Sequence, residues 1–100
     1  MATPRGAQPR EARLALTNVR IQRVAGSIYV YDERIVINTI AGDRTIPMAS
    51  LARVATRKSW LGSRLLLALD SGEVIDVRKL GASATTVAHR TIIDIARGRA

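Results

Sequence analysis

Residues Ser63–Lys79 read SRLLLALDSGEVIDVRK, two runs of alternating aliphatic residues around one glycine-containing turn. Alternation with a period of two is the signature of a strand with one buried face. The length of the turn then decides which residues share that face. A three-residue loop of Asp70, Ser71 and Gly72, with Gly72 left-handed, sets Leu67 opposite Ile75 and Leu65 opposite Val77. A two-residue Ser71–Gly72 loop would set Leu67 opposite Asp76 and break the apolar pairing. The three-residue loop is therefore expected. Leu66 then points outward beside Asp76.

Upstream, SIYVYDERIVIN (Ser27–Asn38) behaves in the same way. With Asp32 and Glu33 as the central turn residues, Val30 faces Ile35 and Ile28 faces Ile37 on one side. Tyr29 faces Val36, and Tyr31 faces Arg34, on the other. Before it, LALTNVRIQRV is a strand whose apolar parity switches between Leu16 and Val19, which predicts a bulge near Thr17–Asn18. The following AGS (Ala25–Ser27) reads as its end. AGD (Ala41–Asp43) turns the chain into the short strand RTIP, and Pro47, which cannot donate to a ladder, places that strand at a sheet edge. SLARVATRK is a fifth strand, with Arg53 and Arg57 on one face and Val54 on the other.

After these seven strands comes one helix, expected over about 83–97, capped by Ser83 and stopped by Gly98. Ala84, Val87, Ala88, Ile92, Ile95 and Ala96 form its apolar stripe. Arg90 and Asp94 lie four apart on its outer face and can pair. The fold class is thus mainly β, α+β: a seven-stranded antiparallel barrel or sandwich with a C-terminal capping helix.

The chain has 100 residues, enough for one domain, and 47% of them are hydrophobic. Three aromatics and no cysteine mean an aliphatic core, with no disulfide, thiolate metal site or cysteine nucleophile. Residues 1–13 carry two of the three prolines and no apolar periodicity, and read as a loose basic arm ahead of a domain at 14–98. No apolar run approaches a membrane span, and the first residues lack the apolar core of a secretory signal. A cytoplasmic location is expected, with a virion component as the alternative. The net charge of +8 favours acidic partners. The same bias of arginine over lysine (only Lys58 and Lys79) also arises from GC-rich coding, so charge alone leaves a functional basic surface open.

Three stretches resemble the bacterial pleckstrin-homology-like domains, which overlap the GRAM type. YVYDERIVI is similar to that family's second hairpin, with an acidic turn followed by Arg and an aliphatic pair. RTIPMASLARV is similar to its step into the fifth strand. LLLALDSGEVIDV with the terminal helix is similar to its closing hairpin and plug. The resemblance spans about Gly26 to Arg97 and implies a small barrel used for recognition. Phosphoinositide-binding members hold the headgroup with cations around a long first loop. Here that loop reads as VAGS (Val24–Ser27), without a cation, with Arg23 just before it.

Catalysis needs a nucleophile, a matched acid–base pair or a metal. His89 is the single histidine and lies beside the apolar stripe of the helix. Asp32, Glu33, Asp43, Asp70 and Glu73 fall almost entirely in turns, where they serve turn geometry. No glycine-rich loop runs into a helix N-terminus. No enzymatic activity, cofactor or metal is expected.

The remaining signal is RKSWLGSR (Arg57–Arg64), which holds the only tryptophan among cations. Arg57, Lys58, Trp60, Leu61 and Arg64, with Arg53 nearby, are the candidate binding residues. Trp60 can serve as an interface anchor for a protein, a stacking platform for nucleic acid, or an anchor at an anionic membrane surface. Alternatively it closes one end of the barrel and supplies the bulk the aliphatic core lacks, and this closure is the favoured expectation. The functional reading is a non-enzymatic interaction module, first for a protein partner. A nucleic-acid-binding protein, a structural subunit of a homo-oligomer or larger assembly such as a virion, and a peripheral membrane module stand as alternatives.

Overall fold

The computed structural model describes residues 12–60 and 62–98. The arm expected at 1–13 lies outside them except for its last two residues. Of these, Arg13 donates its amide to the Val30 carbonyl (2.7 Å) and pairs its guanidinium with Asp32 (2.5 Å).

Seven antiparallel strands form one sheet: β1 (Leu14–Ile21), β2 (Val24–Val30), β3 (Arg34–Thr39), β4 (Gly42–Pro47), β5 (Leu51–Ser59), β6 (Gly62–Leu69) and β7 (Val74–Leu80). A 3-10 turn at Met48–Ser50 joins β4 to β5, and α1 (Ala82–Ala96) ends the chain of elements. The spatial order is β4-β3-β2-β1-β7-β6-β5, so the sheet runs as a meander on each side of a β1–β7 seam. That seam pairs Arg20 with Arg78 and Ile21 with Val77. The sheet curls, and α1 packs on its inner face against β5, β6 and β7.

The two hairpin registers follow the apolar pairing. Leu65 lies opposite Val77 and Leu67 opposite Ile75, with Leu66 opposite Asp76. The Leu69 amide bonds to the Glu73 carbonyl (2.8 Å), closing three residues, and Gly72 has φ +98°, a left-handed conformation that a side chain would oppose. In the other hairpin Ile28 lies opposite Ile37, Tyr29 opposite Val36, and Val30 opposite Ile35. The Tyr31 amide bonds to the Arg34 carbonyl (2.8 Å), and the Arg34 guanidinium stands 4.3 Å from the Tyr31 ring centre. The expected bulge is a register shift between Leu16 and Val19, with Asn18 at φ +56°. β4 is an edge strand that ends at Pro47.

Four local expectations are corrected. First, the β1–β2 turn is Gln22–Arg23, both left-handed (φ +53° and +72°), the twist-compatible type for a two-residue hairpin. Ala25, Gly26 and Ser27 lie inside β2. The glycine signals crowding there, because a Cβ on Gly26 would collide with the Asn38 carbonyl and sit 2.8 Å from Thr39 Cγ2. Second, Asp43 lies in β4, and the preceding turn is Ile40–Ala41. Third, α1 starts at Ala82 with Gly81 as N-cap, and Ser83 does not cap it. Fourth, the buried face of α1 is Thr85, Ala88, Ile92 and Ile95, while Val87 is 52% exposed. Thr85 turns inward because its hydroxyl is satisfied locally, donating to the Gly81 carbonyl (2.9 Å). Ala96 is exposed, and no ion pair joins Arg90 to Asp94 among the described residues. Gly98 does stop the helix, at φ +75°, with its amide on the Ile95 carbonyl (2.9 Å).

The core is aliphatic throughout. Ile28, Val30, Ile35, Leu65, Leu67, Ile75, Val77 and Ile92 are almost wholly buried, and Met48 fills one margin. Burying each such side chain contributes about 1.5–3 kcal/mol. Among the described residues no helix is long and apolar enough to cross a membrane.

Candidate functional site

β5 and β6 pair from Arg53 to Gly62, with Arg57 opposite Arg64, Lys58 opposite Ser63 and Ser59 opposite Gly62. Only positions 60 and 61 lie between the strands, and Gly62 takes φ +126° to complete the turn. A two-residue turn leaves no length to fold an indole back across the end of the sheet. Trp60 therefore stands 91% exposed, and the expected barrel closure by Trp60 is overturned. The inner face is filled instead by Ala88, Ile92 and Ile95 of α1. Leu61 lies outside the described residues.

The candidate cations divide by face, since neighbouring residues of a strand point to opposite sides. Arg53 and Arg57 are exposed on the outer face and make no ion pair among the described residues. Arg64 shares that face, but its Nη1 donates to Asp76 Oδ2 (3.2 Å), as does Arg78 Nε (3.0 Å). Arg64 is thus engaged with a carboxylate on β7. That carboxylate relieves the repulsion between Arg64 and the arginine directly opposite it. Around these charges the outer face carries Ala55, Leu66, Ala68 and the 48%-exposed Val74.

Lys58 faces the inner side with Ser63. There Thr56, Arg57, Lys58, Ser63, Ala82, Thr85 and Thr86 line a cleft of about 250 Å³ between the hairpin and the start of α1. No acidic residue sits in the first turn of α1, and Gly81 offers no side-chain cap. Ser63 and the start of α1 were not singled out by the sequence. The signal was available: Ser63 occupies the same parity as Leu65, Leu67 and Leu69, so it is a polar residue at a buried position.

The acid–base candidates are accounted for as ion pairs. Asp32 pairs with Arg13, Glu33 with Arg34 (2.7 Å), and Glu73 with Arg44. The Arg44 contact is bidentate, Nη1 to Oε2 (2.6 Å) and Nη2 to Oε1 (2.5 Å). These bonds hold the Glu73 carboxyl below the usual carboxylate range and raise Arg44 above its ordinary value. His89 is half-buried on α1, and no group of three metal-ligating side chains exists among the described residues.

A curled seven-stranded antiparallel sheet plugged by a C-terminal helix is the pleckstrin-homology-like fold. Among solved structures, the chain is similar to "The pleckstrin homology (PH) domain of USP37", with a TM-score of 0.68 and 16% identity over 86% of this chain and 96% of that one. It is also similar to "Structure of the Spt16D Pob3N heterodimer", with a TM-score of 0.66 and 8% identity over 85% of this chain. There it spans 48% of the matched chain. No family model matches the chain, and no curated protein matches it in sequence.

Proposed function

We propose that this chain is a non-catalytic interaction module that recognises an acidic protein segment through the tip and outer face of the β5–β6 hairpin. The observation that carries the reading is Trp60. A lone indole held almost fully in solvent on a tight turn, beside the unpaired cations Arg57 and Lys58, is the arrangement of an interface anchor with a charged rim. Arg53, Arg57, Lys58 and Leu61 are assigned to the contact, and Arg64 supports it from the strand. The net charge of +8 supports an acidic partner. The fold has homes in recognition rather than chemistry, which agrees with this reading but does not name the partner.

The test places a photo-crosslinking amino acid at position 60 in cells and identifies what it captures. A protein adduct that is lost on Arg57→Glu supports the reading. An adduct to nucleic acid, or no adduct from a folded variant, overturns it.

A further inference from the structure

We propose that the cleft between the β5–β6 hairpin and the start of α1 is a binding site for a phosphate-class oxyanion. The inference does not depend on the protein-binding reading, which uses the hairpin tip and its outer face. Three sets of groups converge on the cleft. The first is the N-terminus of α1. The Thr85 amide bonds to the Gly81 carbonyl (3.0 Å), so the amides of Ala82, Ser83 and Ala84 precede the first intrahelical bond and have no helical acceptor. No side chain caps them, and the space that a Cβ on Gly81 would enter is empty to 4 Å. The 15-residue helix directs its positive end there.

The second is Ser63. It retains only 9% of its accessible surface, yet it lines the cleft, and its hydroxyl has no hydrogen-bond partner among the described residues. A buried hydroxyl without a partner is destabilising unless a ligand or water completes it. The third is charge: Arg57 and Lys58 line the cleft, and no carboxylate does. Amide donors, a hydroxyl donor and two cations around about 250 Å³ form a donor set matched to a tetrahedral oxyanion. The same chemistry fits a free phosphate ester or a phospholipid headgroup.

The experiment follows backbone amides by NMR while inorganic phosphate is added, against chloride at equal ionic strength. Saturable shifts are expected at Ala82, Ser83 and Ala84. Ser63→Ala should weaken binding roughly tenfold, the loss of one hydrogen bond to a charged group. Gly81→Asp supplies an internal carboxylate to the same amides, so it should keep the fold, stabilise α1 and abolish phosphate binding. Non-saturating shifts, or saturable shifts unaltered by both substitutions, overturn the proposal. Vesicles of phosphatidic acid and of phosphatidylcholine separate the sources. Phosphatidic acid binding that Gly81→Asp abolishes assigns the site to a lipid headgroup. Phosphate binding without vesicle binding assigns it to a soluble phosphorylated ligand. Loss of the phosphate shifts leaves crosslinking at position 60 as an independent readout, so either reading can fail alone.

Discussion

Arg44 and Glu73 join two parts of the sheet that lie far apart in strand order. Arg44 is on the edge strand β4, and Glu73 precedes β7, with β3, β2 and β1 between them. A flat sheet would hold these residues several strand spacings apart. Their bidentate contact therefore marks the curl that brings β4 round toward the β6–β7 turn. It sits at the end of β6 opposite the Trp60 hairpin.

This pair gives a pH dependence with a definite sign. Glu73 is held below the usual carboxylate range by Arg44, so the pair's contribution is fully present above the unfolded-state value. It is lost as pH falls through the lower folded-state value. Glu73→Gln should reduce stability modestly at pH 7, because both side chains are partly exposed, and should leave it unchanged in strong acid. Denaturant melts of both proteins across that range, at low and high salt, check this. The difference should also shrink as salt rises.

Gly26→Ala is expected to destabilise the domain by about 1–3 kcal/mol. The new methyl would meet the backbone carbonyl of Asn38, an element of the β2–β3 ladder that cannot rotate away. Urea unfolding measures it directly. Gly42→Ala has open space but φ +137°, so its effect reports backbone conformation and separates strain from collision.

The strands were legible because every apolar pair in two hairpins agrees on a single register: Leu65–Val77, Leu67–Ile75, Ile28–Ile37 and Val30–Ile35. The turn at Gln22–Arg23 was not, because its left-handed residues carry no glycine. The glycine that suggested a turn, Gly26, answers to a close approach visible only in three dimensions. The cleft was hidden for a similar reason: its donors are backbone amides and one serine from three separate elements. Trp60 illustrates the limit of composition. A core short of aromatics suggested a use for it, but turn length decided otherwise.

The helix supplies a paired prediction. Ile92 is wholly buried and Val87 is half-exposed, although both fit one stripe in sequence. Ile92→Ala should cost about 2–5 kcal/mol, and Val87→Ala should stay within about 0.5 kcal/mol. Thermal or denaturant unfolding of the two variants decides which face α1 buries. Comparable losses would mean that the helix is rotated toward the stripe centred on Val87.

The two opposed arginines of the hairpin should separate stability from binding. Arg64 is half-buried and shares Asp76 with Arg78, and Asp76 Oδ1 is buried without a partner. Removing Arg64 leaves that carboxylate with fewer donors, so Arg64→Ala should destabilise the fold by about 1–2 kcal/mol while changing partner capture little. Arg57 has no carboxylate to hold it and stands in solvent. Arg57→Ala should therefore leave stability within about 0.5 kcal/mol, or raise it slightly by removing repulsion across the β5–β6 pair, and should weaken partner binding. Unfolding curves and crosslinking yield from position 60, measured on both variants, give the four values needed. Equal loss of crosslinking from the two would place Arg64 in the contact itself and detach it from its role beneath the hairpin.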